Sequence, residues 1–331
     1  MRRSADLAED DSLFAQSARR FLAGHPWTPA QRRIPRDRIA EIGWLAMGVP
    51  EAEGGIGADA HQVLLVLEEL GRVLPEEALG CDLLIAPKAL AALGRADLAA
   101  ALMAGEAGFA FARAEARGTS SLAPGLAGAQ WLLLREGAGL RLLSAESFAA
   151  VLASAPLLDG RPAGRVTLAA LGPAAASVTD PALGAELEAR QIAALAADAL
   201  GALDTGFATT LDYLRTRRQF GQPLAGFQAV QHHMADVYAV LEELRSQVAA
   251  LAPGLARPEE SGRRAAAVAC YLRDRVLPAA GRLIQVCGGI AMTEDYIVGH
   301  VYKRVLAIGQ ILDLAAAREA LAESYLTTAR T

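Results

Sequence analysis

The residues of this chain best suited to chemistry lie in three clusters. They are Arg215-Thr216-Arg217-Arg218-Gln219-Phe220-Gly221-Gln222-Pro223-Leu224, then Phe227-Gln228-Ala229-Val230-Gln231, and further on Gln285-Val286-Cys287-Gly288-Gly289. The planar fork of arginine donates paired hydrogen bonds to phosphate oxygens. The Gln228 amide both donates and accepts, as the edge of an adenine or a ribose requires. Gly288 and Gly289 let a backbone approach a ligand closely. Such a set suits a phosphate-rich, adenine-bearing cofactor. Taken singly, each member also has a plainer role: Arg217 and Arg218 as basic residues at a helix C-terminus, Gln228 as a surface amide, the glycine pair as a turn.

No metal site is expected. His25, His61 and His300 are isolated, and His232-His233 lack a third partner at ligand spacing. Cys81, Cys270 and Cys287 have neither metal nor disulfide spacing and read as buried thiols of a reducing compartment.

The elements that must position these groups follow from composition and period. The chain has 331 residues, 53% of them hydrophobic and only 5% aromatic, with a net charge of −5. This argues against a general nucleic-acid binder. The N-terminus lacks an apolar signal core. Apolar stretches are broken by charges such as Glu188, Arg190 and Asp198, so no bilayer span is expected and a soluble cytoplasmic protein is.

Residues 1–104 read as a helical domain, in which Val63, Leu67, Leu70 and Leu74 give His61 to Leu74 one apolar face. Residues 105–180 read as a small β domain. Its strands are Phe109 to Arg113, a hairpin of Trp131 to Arg135 with Leu140 to Leu143, and Arg165 to Leu168. Residues 181–331 return to long amphipathic helices. Leu203, Phe207, Leu211 and Leu214 share one face; Val237, Leu241, Leu244, Val248 and Leu251 share another. A polar break is expected from Pro253 to Ser261, with helix resuming from Arg263 to Arg282. The fold class is mainly α with a small central β domain: N-terminal helical domain, β domain, C-terminal four-helix bundle.

The motif Arg217-x-x-Phe220-Gly221, with Gln228 and Gln285-x-x-Gly288-Gly289, resembles the acyl-CoA dehydrogenase family. So do the block Gly43 to Pro50, the stretch Leu67 to Arg72, and Lys303-Arg304. The resemblance implies FAD as cofactor, contacted across a subunit interface by Arg217, Gln219, Phe220, Gln228, Gln285, Gly288 and Gly289. It implies α,β-dehydrogenation of an acyl thioester, carried by CoA or a carrier protein. A carboxylate removes the Cα proton and the flavin takes hydride from Cβ. Electrons pass to an electron-transfer flavoprotein, and the assembly is a homo- or hetero-oligomer without nucleic acid or membrane.

The sequence departs from the family where a base belongs. The two places that supply it fall on Leu312 and Gln191, neither of which can take a proton. Asp313, Glu188, Glu294 and Asp295 are the neighbouring acids, with Asp313 the nearest substitute, so no catalytic residue is assigned. The flavin-cradling run of the family is replaced by Phe111 to Ser121, where Thr119, Ser120 and Ser121 offer hydroxyls, and Trp131 is expected to pack in the sheet. Two expectations follow. One is a dehydrogenase whose base is displaced. The other is a non-catalytic chain that completes the FAD site of a hetero-oligomer, as in bacterial members of steroid side-chain catabolism that pair unlike chains.

Overall fold

The computed structural model describes residues 4–255 and 257–328. Five helices come first: α1 (Ser4–Leu22), α2 (Arg36–Glu41), α3 (Ala60–Val73), α4 (Ala86–Leu93) and α5 (Ala96–Met103). Helix α3 starts in a capping box, where Gln62 N donates to Asp59 Oδ1 (2.9 Å) and Asp59 N donates back to Gln62 Oε1 (3.1 Å).

The β region follows with β1 (Phe109–Arg113), β2 (Ala123–Pro124), β3 (Trp131–Glu136), β4 (Gly139–Ser144), the short helix α6 (Ala145–Phe148), β5 (Leu152–Ser154), β6 (Ala163–Val166) and β7 (Ala176–Thr179). One sheet has the order β1-β3-β4-β7, with β1 parallel to β3 and the other pairs antiparallel; a second has the order β2-β6-β5. The period-2 alternation of strands sends their residues to two cores. Phe109, Phe111, Leu133, Leu140 and Leu142 join the large core shared with the helices. Ala110, Ala112, Leu132, Leu134 and Leu143 join a small core with Phe148 and Val166. Trp131 is half-buried in β3, with the Arg95 guanidinium 5.6 Å from its ring centroid.

The C-terminal part comprises α7 (Pro181–Thr216), the hairpin β8 (Arg218–Gln219) and β9 (Gln222–Pro223), α8 (Gln228–Leu255), α9 (Pro258–Tyr271), α10 (Leu277–Cys287), α11 (Ile297–Ile311) and α12 (Leu314–Thr328). Helices α3 and α7 cross at backbone contact. A Cβ on Gly201 would lie 1.9 Å from Glu68 O, and one on Gly71 would lie 2.4 Å from Asp198 O. Only glycine permits that approach.

Four expectations are corrected. The third strand runs Ala163–Val166, and Leu168 belongs to a 3₁₀ turn. The polar break is far shorter than Pro253 to Ser261. Pro253 lies inside α8, carried past its missing N–H by the buried Leu251, Ala252, Gly254 and Leu255 around it. The helix after it is interrupted by a π turn at Leu272–Val276, just before Pro278; the same happens at Cys81–Ile85, before Pro87. A proline ring crowds the carbonyl four residues earlier, and a wider turn relieves the clash. Finally, α7 is long and apolar enough to cross a membrane, although 61% of its most apolar window is buried inside the protein, as in a core helix. Among the thiols, Cys81 and Cys287 are buried and Cys270 is half-buried; all are free.

Candidate active site

Two exposed segments hang from the C-terminal end of α7. At the first, Arg217 N donates to Tyr213 O (2.8 Å), after which the chain leaves the helix; Leu224 N donates to Arg217 O (2.9 Å) and closes the loop. Between them, Arg218 pairs with Pro223 and Gln219 with Gln222. The turn at the tip has φ 51° at Phe220 and φ 84° at Gly221. Glycine adopts this geometry freely, whereas a bulky residue there is strained. Phe220 is nevertheless 90% exposed. Its only ring contact among the described residues is Phe227, edge-on at 6.2 Å. Neither burial nor turn preference accounts for a phenylalanine at this tip. Arg217, Gln219 and Gln228 are also exposed, and the Arg217 guanidinium has no ion pair among the described residues.

The second segment follows α10. Gly288 has φ 70° and ψ −145°, a conformation open essentially to glycine alone. A Cβ on Gly288 or Gly289 would meet nothing within 4 Å, so this backbone faces open surface. Cys287 Sγ lies 3.5 Å from Thr210 Oγ1, and the Tyr296 and Tyr213 rings stack edge-on at 6.1 Å. Thr210 and Tyr213 sit in the last turns of α7, so one helix end carries both the Arg217 loop and the Gly288-Gly289 backbone. Gln285 is exposed on α10 beside it. The Arg217 fork, the exposed amides of Gln228 and Gln285 and the open glycine backbone suit the phosphate and adenosine half of a dinucleotide, while the Gln219 amide donates to Arg218 O (3.0 Å).

The places where the family resemblance puts a base also converge. Leu312 and Gln191 line one cleft of about 220 Å³, together with Arg113, Glu188 and Asp313. The acids there are occupied. Arg113, ending β1, holds Asp313 through Nη1 (3.2 Å) and Glu188 through Nε (3.7 Å). Arg135 on β3 also binds Glu188. Asp313 is in addition the N-terminal cap of α12, accepting from Ala316 N (3.0 Å). The cap N–H and the Arg113 guanidinium hold its carboxyl below the usual range, against the pull of partial burial. A base for Cα deprotonation needs the opposite shift.

Glu294 and Asp295 are exposed and do not line this cleft. Glu294 pairs with Lys303 (2.8 Å), which lowers its pKa, and contacts His300 (3.3 Å). The hydroxyls expected after Phe111 are partly turned inward. Ser120 Oγ donates to Ser121 O (2.9 Å) and accepts from Val166 N (3.1 Å), Ser121 Oγ accepts from Arg113 N (3.0 Å), and only Thr119 is partly exposed. The two serine hydroxyls are therefore engaged by this chain's own backbone, whereas the groups suited to the dinucleotide half lie exposed. Sequence reasoning missed Arg113 and Arg135. The available signal was a charged residue at the end of each of two apolar strands, which must find acids once those strands pair.

The family model of the acyl-CoA dehydrogenase N-terminal domain matches residues 8–107, and that of the C-terminal domain matches residues 190–312. The acyl-CoA dehydrogenase IpdE2 of Mycolicibacterium smegmatis is 30% identical over 279 residues, covering 82% of this chain and 81% of that protein. Among solved structures, a variant of the Tcur3481-Tcur3483 steroid ACAD aligns with a TM-score of 0.84 at 25% identity, covering 98% of this chain and 100% of the other. The ChsE4-ChsE5 complex from Mycobacterium tuberculosis aligns with a TM-score of 0.76 at 20% identity, covering 100% and 99%. With its helical, β and helical parts in family order and its motifs on one helix end, the chain belongs to the acyl-CoA dehydrogenase family of oxidoreductases.

Proposed function

We propose that this chain serves FAD-dependent α,β-dehydrogenation of an acyl thioester as the FAD-site-completing subunit of a hetero-oligomer, with the base supplied by an unlike partner chain. One observation carries the proposal: both family base positions are non-acidic, and the acids beside them, Asp313 and Glu188, are bound by Arg113 and Arg135. The base is missing rather than displaced.

In this reading Arg217 takes pyrophosphate oxygens of the FAD. Gln228 and Gln285 take the adenine and ribose edges, and the backbone at Gly288-Gly289 lets the cofactor lie against it. Gln219 and Phe220 extend the contact toward the partner. FAD, when bound, supplies the hydride acceptor, and an electron-transfer flavoprotein is the proposed electron acceptor. The acyl group is proposed to derive from a fatty acid or a steroid side chain, a choice supported by the likeness to a steroid ACAD along the whole chain. A cytoplasmic location is part of the proposal, supported by three free thiols.

The test is the visible spectrum and native mass of the chain purified alone and with a second, base-carrying acyl-CoA dehydrogenase chain. The expected result is a colourless protein alone and bound flavin only in the mixed assembly. A flavin-bound homo-oligomer that is bleached by an acyl-CoA would overturn the reading in favour of an active enzyme on its own.

A further inference from the structure

Past the Gly288-Gly289 backbone the surface opens into an apolar groove of about 600 Å³. Helix α10 supplies Gly281 and Ile284 to it, α11 supplies Tyr302, and the loop between β5 and β6 supplies Leu158. Small residues keep it hollow. Gly299 must be glycine, since a Cβ there would lie 2.4 Å from Ala291 O. Gly281 has no such need, because its Cβ would meet only the Tyr302 ring, at 3.6 Å. On the rim Met292 is 75% and Leu158 50% exposed, and Ile290, on the same turn as Met292, is exposed too. Apolar side chains gathered at the surface in this way mark an interaction site.

The polar groups of the groove are engaged within the chain and leave little to orient a small polar ligand. Glu294 pairs with Lys303 (2.8 Å) and contacts His300 (3.3 Å). The Thr293 hydroxyl donates to Ile290 O (2.8 Å). The groove therefore suits a neutral, apolar surface, and its place in the fold says whose. Met292 closes the 3₁₀ turn that starts at Gly288. At about 2 Å per residue the two stand roughly 8 Å apart. A chain that brings a cofactor against the Gly288-Gly289 backbone already lies at the edge of the groove. We propose that the groove is the docking site of the unlike, base-carrying partner, which seats a large apolar side chain, such as leucine, methionine or phenylalanine, in it. Met292, Ile290 and Leu158 pack around that anchor and exclude water. The inference rests on the division of labour proposed above and adds to it the contact that holds the two chains together.

The experiment compares wild type with Met292→Asp, which puts a charge on the rim, and Gly281→Leu, which fills the groove from α10. Met292 is exposed, and leucine is favoured over glycine in a helix, so the chain's own fold is kept. Each full chain is titrated with the base-carrying chain and FAD in sedimentation velocity runs. The native mass and Tm of each chain alone are measured alongside. The expected result is an affinity for the partner lower by about tenfold or more in both variants, as loss of a central apolar anchor produces. Native mass and Tm of the chain alone stay as in wild type. Flavin per assembled complex at saturating partner also stays, because the groove grips the partner and not the cofactor. Met292→Asp decides the matter by itself if Gly281→Leu is destabilised. Equal affinity in wild type and variants would overturn the inference and leave the division of labour standing. An isolated chain whose native mass falls in the variants would show the groove taken by a second copy, which overturns it as well. If wild type forms no mixed assembly with the base-carrying chain, the division of labour fails, and the docking site with it.

Discussion

Arg113 and Arg135 stand opposite each other at the end of the parallel β1–β3 register, and both guanidinium groups reach Glu188 on α7. Two like charges paired across strands are unfavourable unless an acid lies between them. Glu188 is that acid, and Asp313 is held from the same side by Arg113. Both carboxylates beside Gln191 and Leu312 are thus engaged in closing the sheet onto the helices.

On the proposed function Asp313 is not the base. In the assembled dehydrogenase, Asp313→Asn should change kcat by less than about tenfold, against the 10²–10⁴-fold typical of a lost general base. Asparagine also keeps the helix cap. Steady-state kinetics decide the matter, and a loss in the larger range would identify Asp313 as catalytic.

The same carboxyl predicts a pH effect. Its folded pKa is depressed, so its stabilisation is fully present above the unfolded value, about 3.9, and is lost as pH falls through the lower folded value. Asp313→Asn should therefore be less stable than wild type at neutral pH and converge with it in acid. Urea midpoints between pH 7 and pH 3 report this; parallel curves across that range would refute it.

Arg217→Ala and Gln285→Ala should each weaken flavin retention in the assembly. For Arg217 the loss of charge-assisted bonds to phosphate predicts roughly a tenfold or greater fall in FAD affinity. Flavin content unchanged in both variants would remove these residues from the cofactor site.

Phe220→Gly separates strain from contact. The isolated chain should be equally or slightly more stable, because glycine relieves a positive φ that costs a bulky residue on the order of 1 kcal/mol. Association with the partner and flavin retention should fall. Urea unfolding of the chain alone and sedimentation of the assembly measure the two effects. Destabilisation of the chain alone would show that Phe220 serves its own fold.

Gly201→Ala should lower Tm by several degrees, since the added methyl meets Glu68 O at 1.9 Å. Forcing packed helices apart costs about 1–3 kcal/mol or more. A Tm unchanged by scanning calorimetry would mean that α3 and α7 do not approach this closely.

The local elements were legible because their causes are local. The alternation of Phe109 to Arg113, the hairpin across Glu136 to Gly139, and the apolar face from Val63 to Leu74 each encode a period that a strand or helix must satisfy. The chemistry of Arg217, Gln228 and Gly288-Gly289 was equally readable, because fork, amide and open backbone are properties of the residue types. Pro253 was misread because its burying neighbours act through the core. Likewise, the chain alone showed acids beside Gln191 and Leu312 but not their partners. Arg113 and Asp313 are 200 residues apart, and only the docking of β1 against α7 and the start of α12 brings them to 3.2 Å. The sequence by itself determined which elements form and which cofactor chemistry they can present. The tertiary structure decided which acids are free to take a proton, because a carboxylate's proton affinity depends on the charges packed around it.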